Sequence, residues 1–194
     1  MLTGRVKDGE AELRRALELD PLSPIINANL GMASYFARKY DAAIAHWRKT
    51  LEMHRNYRLL HTYLATAYIA KDTYPEAIAE LRQGIELSGA GGWERAMLAY
   101  CYAHVGRMAE ARKLLMDVRS GDGGAYNIAL AHVGLGETDQ AFAALEQAVD
   151  TRMGAFNEVN ADPLFDPLRG DPRFAALLHR MRFPGVGAAH VVLR

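Results

Sequence analysis

Seven histidines, one cysteine, a glycine-rich run and a cluster of Asp-Pro pairs are the parts of this chain with the widest chemical reach. The histidines are His46, His54, His61, His104, His132, His179 and His190, and no two stand four residues apart. That spacing would put two imidazoles on one helix face for a metal, so with Cys101 as the single thiol a zinc site is not expected. Cys101 and His104, three residues apart, could meet as nucleophile and base. Tyr100 and Tyr102 flank the thiol, however, and a buried structural cysteine is the expected state. The run Ser120-Gly121-Asp122-Gly123-Gly124 has the glycines of a phosphate cradle but lacks Lys and Ser/Thr at the required spacing and follows no strand. It reads as a tight turn between helices. No acid pair has a motif context, so no catalysis, no metal and no cofactor are expected.

Asp162-Pro163, Asp166-Pro167 and Asp171-Pro172 punctuate the C-terminal part. An Asp carboxylate accepts the free N-H groups of a first helical turn, and Pro suits the first helical position. Each pair is expected to start a short helix, the last running to about Met181 with Phe174, Leu177, Leu178 and Met181 on one face. Helix capping is the main expectation for the cluster, with a partner or metal role as the alternative.

Self-comparison identifies the elements that must carry these residues. A small residue followed four later by a bulky one recurs as Gly9 and Leu13, Ala43 and Trp47, Ala77 and Leu81, Ala111 and Leu115, Ala141 and Leu145, at intervals of 34, 34, 34 and 30. A second series, Leu30-Gly31, Leu64-Ala65, Leu98-Ala99 and Ile128-Ala129, keeps the same step. Small residues let two helix backbones approach, and the bulky neighbour fills the space beside the contact. Turn signals at Lys71-Asp72, Gly106-Arg107 and Gly136-Glu137 separate the helices, so each unit is helix, turn, helix.

The period and the elements Leu64-Ala65, Tyr68, Ala77 and Leu81 resemble the tetratricopeptide-repeat family, over about residues 4–150. The resemblance implies an all-α, right-handed solenoid of antiparallel helix pairs. The expected organisation is an array over 1–150, with a half repeat at 4–21 and full repeats at about 24–55, 58–89, 92–119 and 123–150. A helical cap over 151–184 and a tail over 185–194 follow. The half repeat aligns with a second helix whose first helix is absent, which points to truncation or to cover by another chain, for instance in a homodimer. Residues 134–184 are also similar to the C-terminal ends of repeat regions in bacterial multidomain signalling proteins, in cyclase-like and winged-helix regulator families. The residues concerned are Leu135-Gly136-Glu137, Ala141-Phe142, Leu145-Glu146 and Asp162-Pro163 through Phe174. That likeness implies a regulatory or sensor segment as the alternative to a free-standing scaffold.

In such a fold the first helices line the concave side. Sixteen positions form one face of them: Ile25, Ala28, Met32, Tyr35, Leu59, Thr62, Thr66, Ile69, Trp93, Ala96, Tyr100, Ala103, Gly123, Tyr126, Leu130 and Val133. None is charged in a chain that is 24% charged. Plain burial explains this, and so does an apolar groove for a peptide or partner domain, lined by Ile25, Met32, Tyr35, Leu59, Thr66, Ile69, Trp93, Tyr100 and Tyr126. A small apolar ligand is a third occupant. The family's charged clamp for a peptide C-terminus is represented by Asn29 alone, so chaperone-tail binding is disfavoured. The apolar tail 185–194 could itself enter a groove, and a disordered tail fits the same composition.

Lys plus Arg equal Asp plus Glu at 23 each, so no net field favours nucleic acid. No apolar run reaches the roughly 20 residues of a membrane span. The expectation is a cytoplasmic protein with a protein or peptide partner.

Overall fold

The computed structural model describes residues 6–89, 91–121, 124–151 and 159–181. Among them the chain is all-helical, with no strand. The helices are α1 (Val6–Leu19), α2 (Pro24–Phe36), α3 (Tyr40–Met53), α4 (Arg58–Ala70), α5 (Tyr74–Ser88), α6 (Gly92–His104), α7 (Met108–Ser120), α8 (Gly124–Gly134) and α9 (Thr138–Asp150). A 3-10 helix (Pro163–Leu168) and α10 (Pro172–Arg180) follow. Each of α2/α3, α4/α5, α6/α7 and α8/α9 packs as a pair, and successive pairs stack into a helical solenoid.

The small-residue series does what its spacing requires. A side chain on Gly31 would lie 2.0 Å from Trp47 Nε1, so the indole occupies the room that glycine leaves. Trp47 is fully buried and donates its N-H to the Ala28 carbonyl at 2.9 Å, which satisfies the one polar atom of the ring. Ala43, Ala77, Ala111 and Ala141 are likewise fully buried.

The turns inside the pairs form a third series in the same step. Arg38, Asp72, Gly106 and Gly136 all have left-handed backbone, with φ of 60°, 58°, 80° and 71°. Glycine takes that conformation freely, whereas other residues strain by about 1–2 kcal/mol. Arg38 and Asp72 are the two non-glycine residues of the series, and the Arg38 side chain has a use described below.

The glycine-rich run does not carry the four-residue shortening alone. Three residues separate α7 from α8, as three separate α5 from α6. The missing length lies in the helices, since α7 has 13 residues against 15 in α5, and α8 has 11 against 13 in α6. At this junction α6 and α8 pack directly on one another, while α2 and α4, and α4 and α6, barely touch. Gly134 makes that approach possible, because a side chain there would sit 2.3 Å from Tyr100 Cα. The inner helices consequently converge most tightly at the C-terminal end.

The Asp-Pro segment departs from its expected form in one respect. Asp162 and Asp171 cap helices, accepting the amides of Leu164 at 3.0 Å and Arg173 at 2.9 Å. Asp166 starts no helix: Pro167 lies inside the 3-10 helix that Asp162 begins, and the Asp166 carboxylate turns to arginines instead. Phe174, Leu177 and Leu178 of α10 are buried, and α10 packs on α9.

Candidate functional site: the inner face and the segment that fills it

The 3-10 helix packs on α4 and α8, and residues bordering it reach α2. Tyr35 of α2 donates its hydroxyl to Asp162 Oδ1 at 2.9 Å, and Tyr126 of α8 donates to Asp162 Oδ2 at 3.0 Å. One carboxylate thus bridges the first helices of the first and fourth pairs. This is possible because the face they line is concave and wraps around the segment.

Asp162 is 5% exposed. Burial pushes its carboxyl above the usual range, and the hydrogen bonds from the Leu164 amide, Tyr35 and Tyr126 oppose that shift without cancelling it. Burial and the nearby Asp162 carboxylate push the Tyr35 phenol well up, so it stays a hydrogen-bond donor. Below the carboxylate sit apolar contacts. Leu164, Phe165 and Leu168 are buried, and the Phe165 ring lies 5.0 Å from that of Tyr126, tilted at 57°. Trp93 stacks on Tyr126 at 5.5 Å.

At the rim, the Arg38 guanidinium holds Asp166 through both of its terminal nitrogens, Nη2 donating to Oδ1 at 2.8 Å. Arg169 Nε donates to the same Oδ1 at 2.6 Å and Arg169 Nη2 to the Asn160 carbonyl at 2.7 Å. Burial alone would raise the Asp166 carboxyl, but the bonds from Arg38 and Arg169 together outweigh it and hold the pKa below the ordinary value.

The predicted groove residues divide into two sets. Tyr35, Thr66, Ile69, Tyr100 and Tyr126 are buried, and Met32, Leu59 and Trp93 are partly buried. Tyr35, Trp93 and Tyr126 gather around the Asp162 segment. Thr66 turns its hydroxyl to the Tyr63 carbonyl at 2.7 Å, and Tyr100 stacks on His104 at 4.5 Å. Ile25 stands apart, 62% exposed, in a shallow depression with Pro24, His54, Arg55, Asn56 and Tyr57. The inner side is also not free of charge. Glu94 of α6 is buried and accepts from Arg58 at 3.2 Å and from Thr62 at 3.3 Å, while Arg38 and Asp162 bring further charges from turns and Asp166 from the 3-10 helix. An open, uncharged groove is thus replaced, among the described residues, by one filled from within the chain. The tail 185–194 and the linker 152–158 lie outside the described residues.

Sequence reasoning missed Arg38, Phe165, Asp166 and Arg169 as inner-face residues. The turn series would have found Arg38, because it stands where later units have Gly106 and Gly136. Nothing in the repeat period points to the others, which lie beyond it.

Cys101 is fully buried, and burial pushes its thiol up to about 12, the reverse of an activated nucleophile. His104 is turned to the Tyr100 carbonyl, with its Nδ1 3.0 Å away, and its ring packs against those of Tyr74 and Tyr100, each 4.5 Å away. Among the described residues no group of three His, Cys, Asp or Glu could hold a metal ion, and no helix is long and apolar enough to cross a membrane.

Residues 28–91 and 124–152 each match a tetratricopeptide-repeat family model. No curated protein sequence matches the chain. Among solved structures, the chain is similar to MamA, with a TM-score of 0.56 at 20% identity over 77% of this chain and 90% of that one. It is also similar to YrrB, described as a TPR protein with an unusual peptide-binding site, with a TM-score of 0.51 at 15% identity over 87% and 90% of the two chains. At these identities the likeness establishes the fold. Tetratricopeptide repeats are thus present on both sides of the third pair, α6/α7, which keeps the same small-residue register at Ala111.

Proposed function

We propose that the chain is a non-catalytic protein-interaction module whose inner face, lined by α2, α4, α6 and α8, receives a short peptide segment of a protein partner. The observation that supports this reading is the seating of residues 162–168 on that face. The chain's own segment makes side-chain contacts there of the kind that confer recognition: two tyrosine hydroxyls on one carboxylate, a ring against a ring, and an arginine on a second carboxylate. Tyrosine, tryptophan and arginine, the residue types that dominate binding hot spots, converge at this place.

A peptide array probed with the full chain tests the reading, with Trp93→Ala and Tyr100→Ala as site variants. Binding that weakens in both variants is expected. Binding that is undiminished in both would move the site away from the inner face.

A further inference from the structure

The identity of the bound segment carries more than the existence of a face. Its sequence is Asp162-Pro163-Leu164-Phe165-Asp166, and each of its three polar or aromatic side chains is received by a residue of the repeats. The first carboxylate takes the hydroxyls of Tyr35 and Tyr126. The aromatic ring, one 3-10 turn further along, lies against Tyr126 in full burial. The second carboxylate takes Arg38. The segment also prepares its own shape, since Asp162 accepts the Leu164 amide and Pro163 fixes the first turn, which lowers the ordering cost of binding.

Resting on the function proposed above, we infer that the inner face is a recognition site for acidic-aromatic turn peptides of the form Asp-Pro-x-Phe-Asp on a partner protein. The chain's own 162–166 segment acts as a built-in competitor.

Two observations favour exchange over a permanent seal. The outer anchor is weak, because Arg38 and Asp166 side chains are 45% and 37% exposed, where an ion pair stabilises by about 1 kcal/mol or less. Arg38 also holds a strained left-handed backbone at a position where the third and fourth units have glycine. The receivers Tyr35, Tyr126 and Arg38 belong to the repeat array, not to the segment, and remain in place when the segment leaves. A short tether makes the internal competitor effective at about millimolar concentration, so an external peptide must displace it.

The test uses a labelled peptide of residues 160–169 titrated into the full chain, as wild type, Phe165→Ala and Asp166→Ala. The Asp166→Ala chain loses only partly exposed pairs with Arg38 and Arg169 and is expected to keep its fold, so it serves if Phe165→Ala does not fold. Phe165→Ala, if folded, is expected to bind at least tenfold more tightly than wild type, and Asp166→Ala about threefold to fivefold more tightly, in keeping with its weaker anchor. Peptides carrying Asp162→Asn or Phe165→Ala are expected to bind at least tenfold more weakly than the parent. Adding Arg38→Glu to the Asp166→Ala chain is expected to weaken binding of the parent peptide and to restore it for a peptide carrying Asp166→Lys. Equal binding of a scrambled peptide, or no binding by the folded variants, overturns the inference. So does dimerisation of the variants that excludes the peptide, since it would make a second copy the occupant. The same variants on the peptide array separate the two levels. Array hits lacking the acidic-aromatic pattern leave the interaction module standing and sink the motif, whereas a blank array sinks both.

Discussion

At the C-terminal end of the molecule, Arg180 of α10 meets Asp150 of α9 at 2.8 Å with the two side chains 47% and 67% exposed. On the inner side, Asp162 is buried, and its carboxylate is held by two tyrosine hydroxyls and an amide. Both contacts tie the C-terminal segment to the repeats. They differ in what solvent leaves to them: water screens the outer pair, while the inner carboxylate has exchanged hydration for three directed donors. The inner contact is therefore expected to hold the segment more firmly than the outer pair.

The largest expected difference between the two regions comes from aromatic truncation. Phe165→Ala is expected to cost about 3 kcal/mol in thermal or chemical unfolding, at the low end for a buried Phe because the segment can detach instead of leaving a rigid void. Arg180→Ala on the outside is expected to cost under about 1 kcal/mol. Equal effects would erase the distinction.

Next come two glycines. Gly134→Ala drives a methyl against Tyr100 backbone and is expected to destabilise by about 1–3 kcal/mol. On the outer helix α5, a side chain at Gly84 would meet His61 Cβ at 3.3 Å, a contact that a small shift relieves. There the helix propensity gained, about 1 kcal/mol, offsets the crowding, and Gly84→Ala is expected to fall within about 0.5 kcal/mol of wild type. Urea titrations of both variants check the pair.

Much of the fold was readable in the sequence because helix packing in a repeat recurs at a fixed step. Gly31 against Trp47 and the buried alanines follow from small residues at constant spacing. The filled inner face was not readable in the same way. Asp162, Phe165 and Asp166 lie beyond the period, and the contact from Asp162 to Tyr35 joins residues 127 apart. Local rules identified Asp162 as a cap, which it is, but not as a bridge between α2 and α8. At Tyr35 and Tyr126 the absence of charge reflects burial beneath a segment whose own carboxylates supply it.

A smaller effect separates two carboxylates within the segment by pH. The Asp162 pKa is raised in the folded state, so the stability linked to it is fully present below the unfolded carboxylate range and is lost as pH rises through the raised value. The Asp166 pKa is lowered, so its contribution is present above the unfolded range and is lost as pH falls through the lowered value. Wild type is accordingly expected to gain stability relative to Asp162→Asn as pH falls from neutral, and to lose it relative to Asp166→Asn. Melting curves across that range check both signs.

The smallest effect is at Arg38. Arg38→Gly relieves left-handed strain while removing the grip on Asp166, and is expected to leave overall stability within about 0.5 kcal/mol of wild type. Arg38→Ala keeps the strain and loses the grip, so it is expected to be the less stable of the two.

The occupancy of the inner face is tested most directly by a double-mutant cycle between Tyr35→Phe and Asp162→Ala. The two residues share one buried hydrogen bond to a carboxylate across the concave face, and a coupling energy of about 1.5 kcal/mol or more is expected. Coupling near zero would mean that Asp162 does not reach α2 in solution, and the filled face would be contradicted.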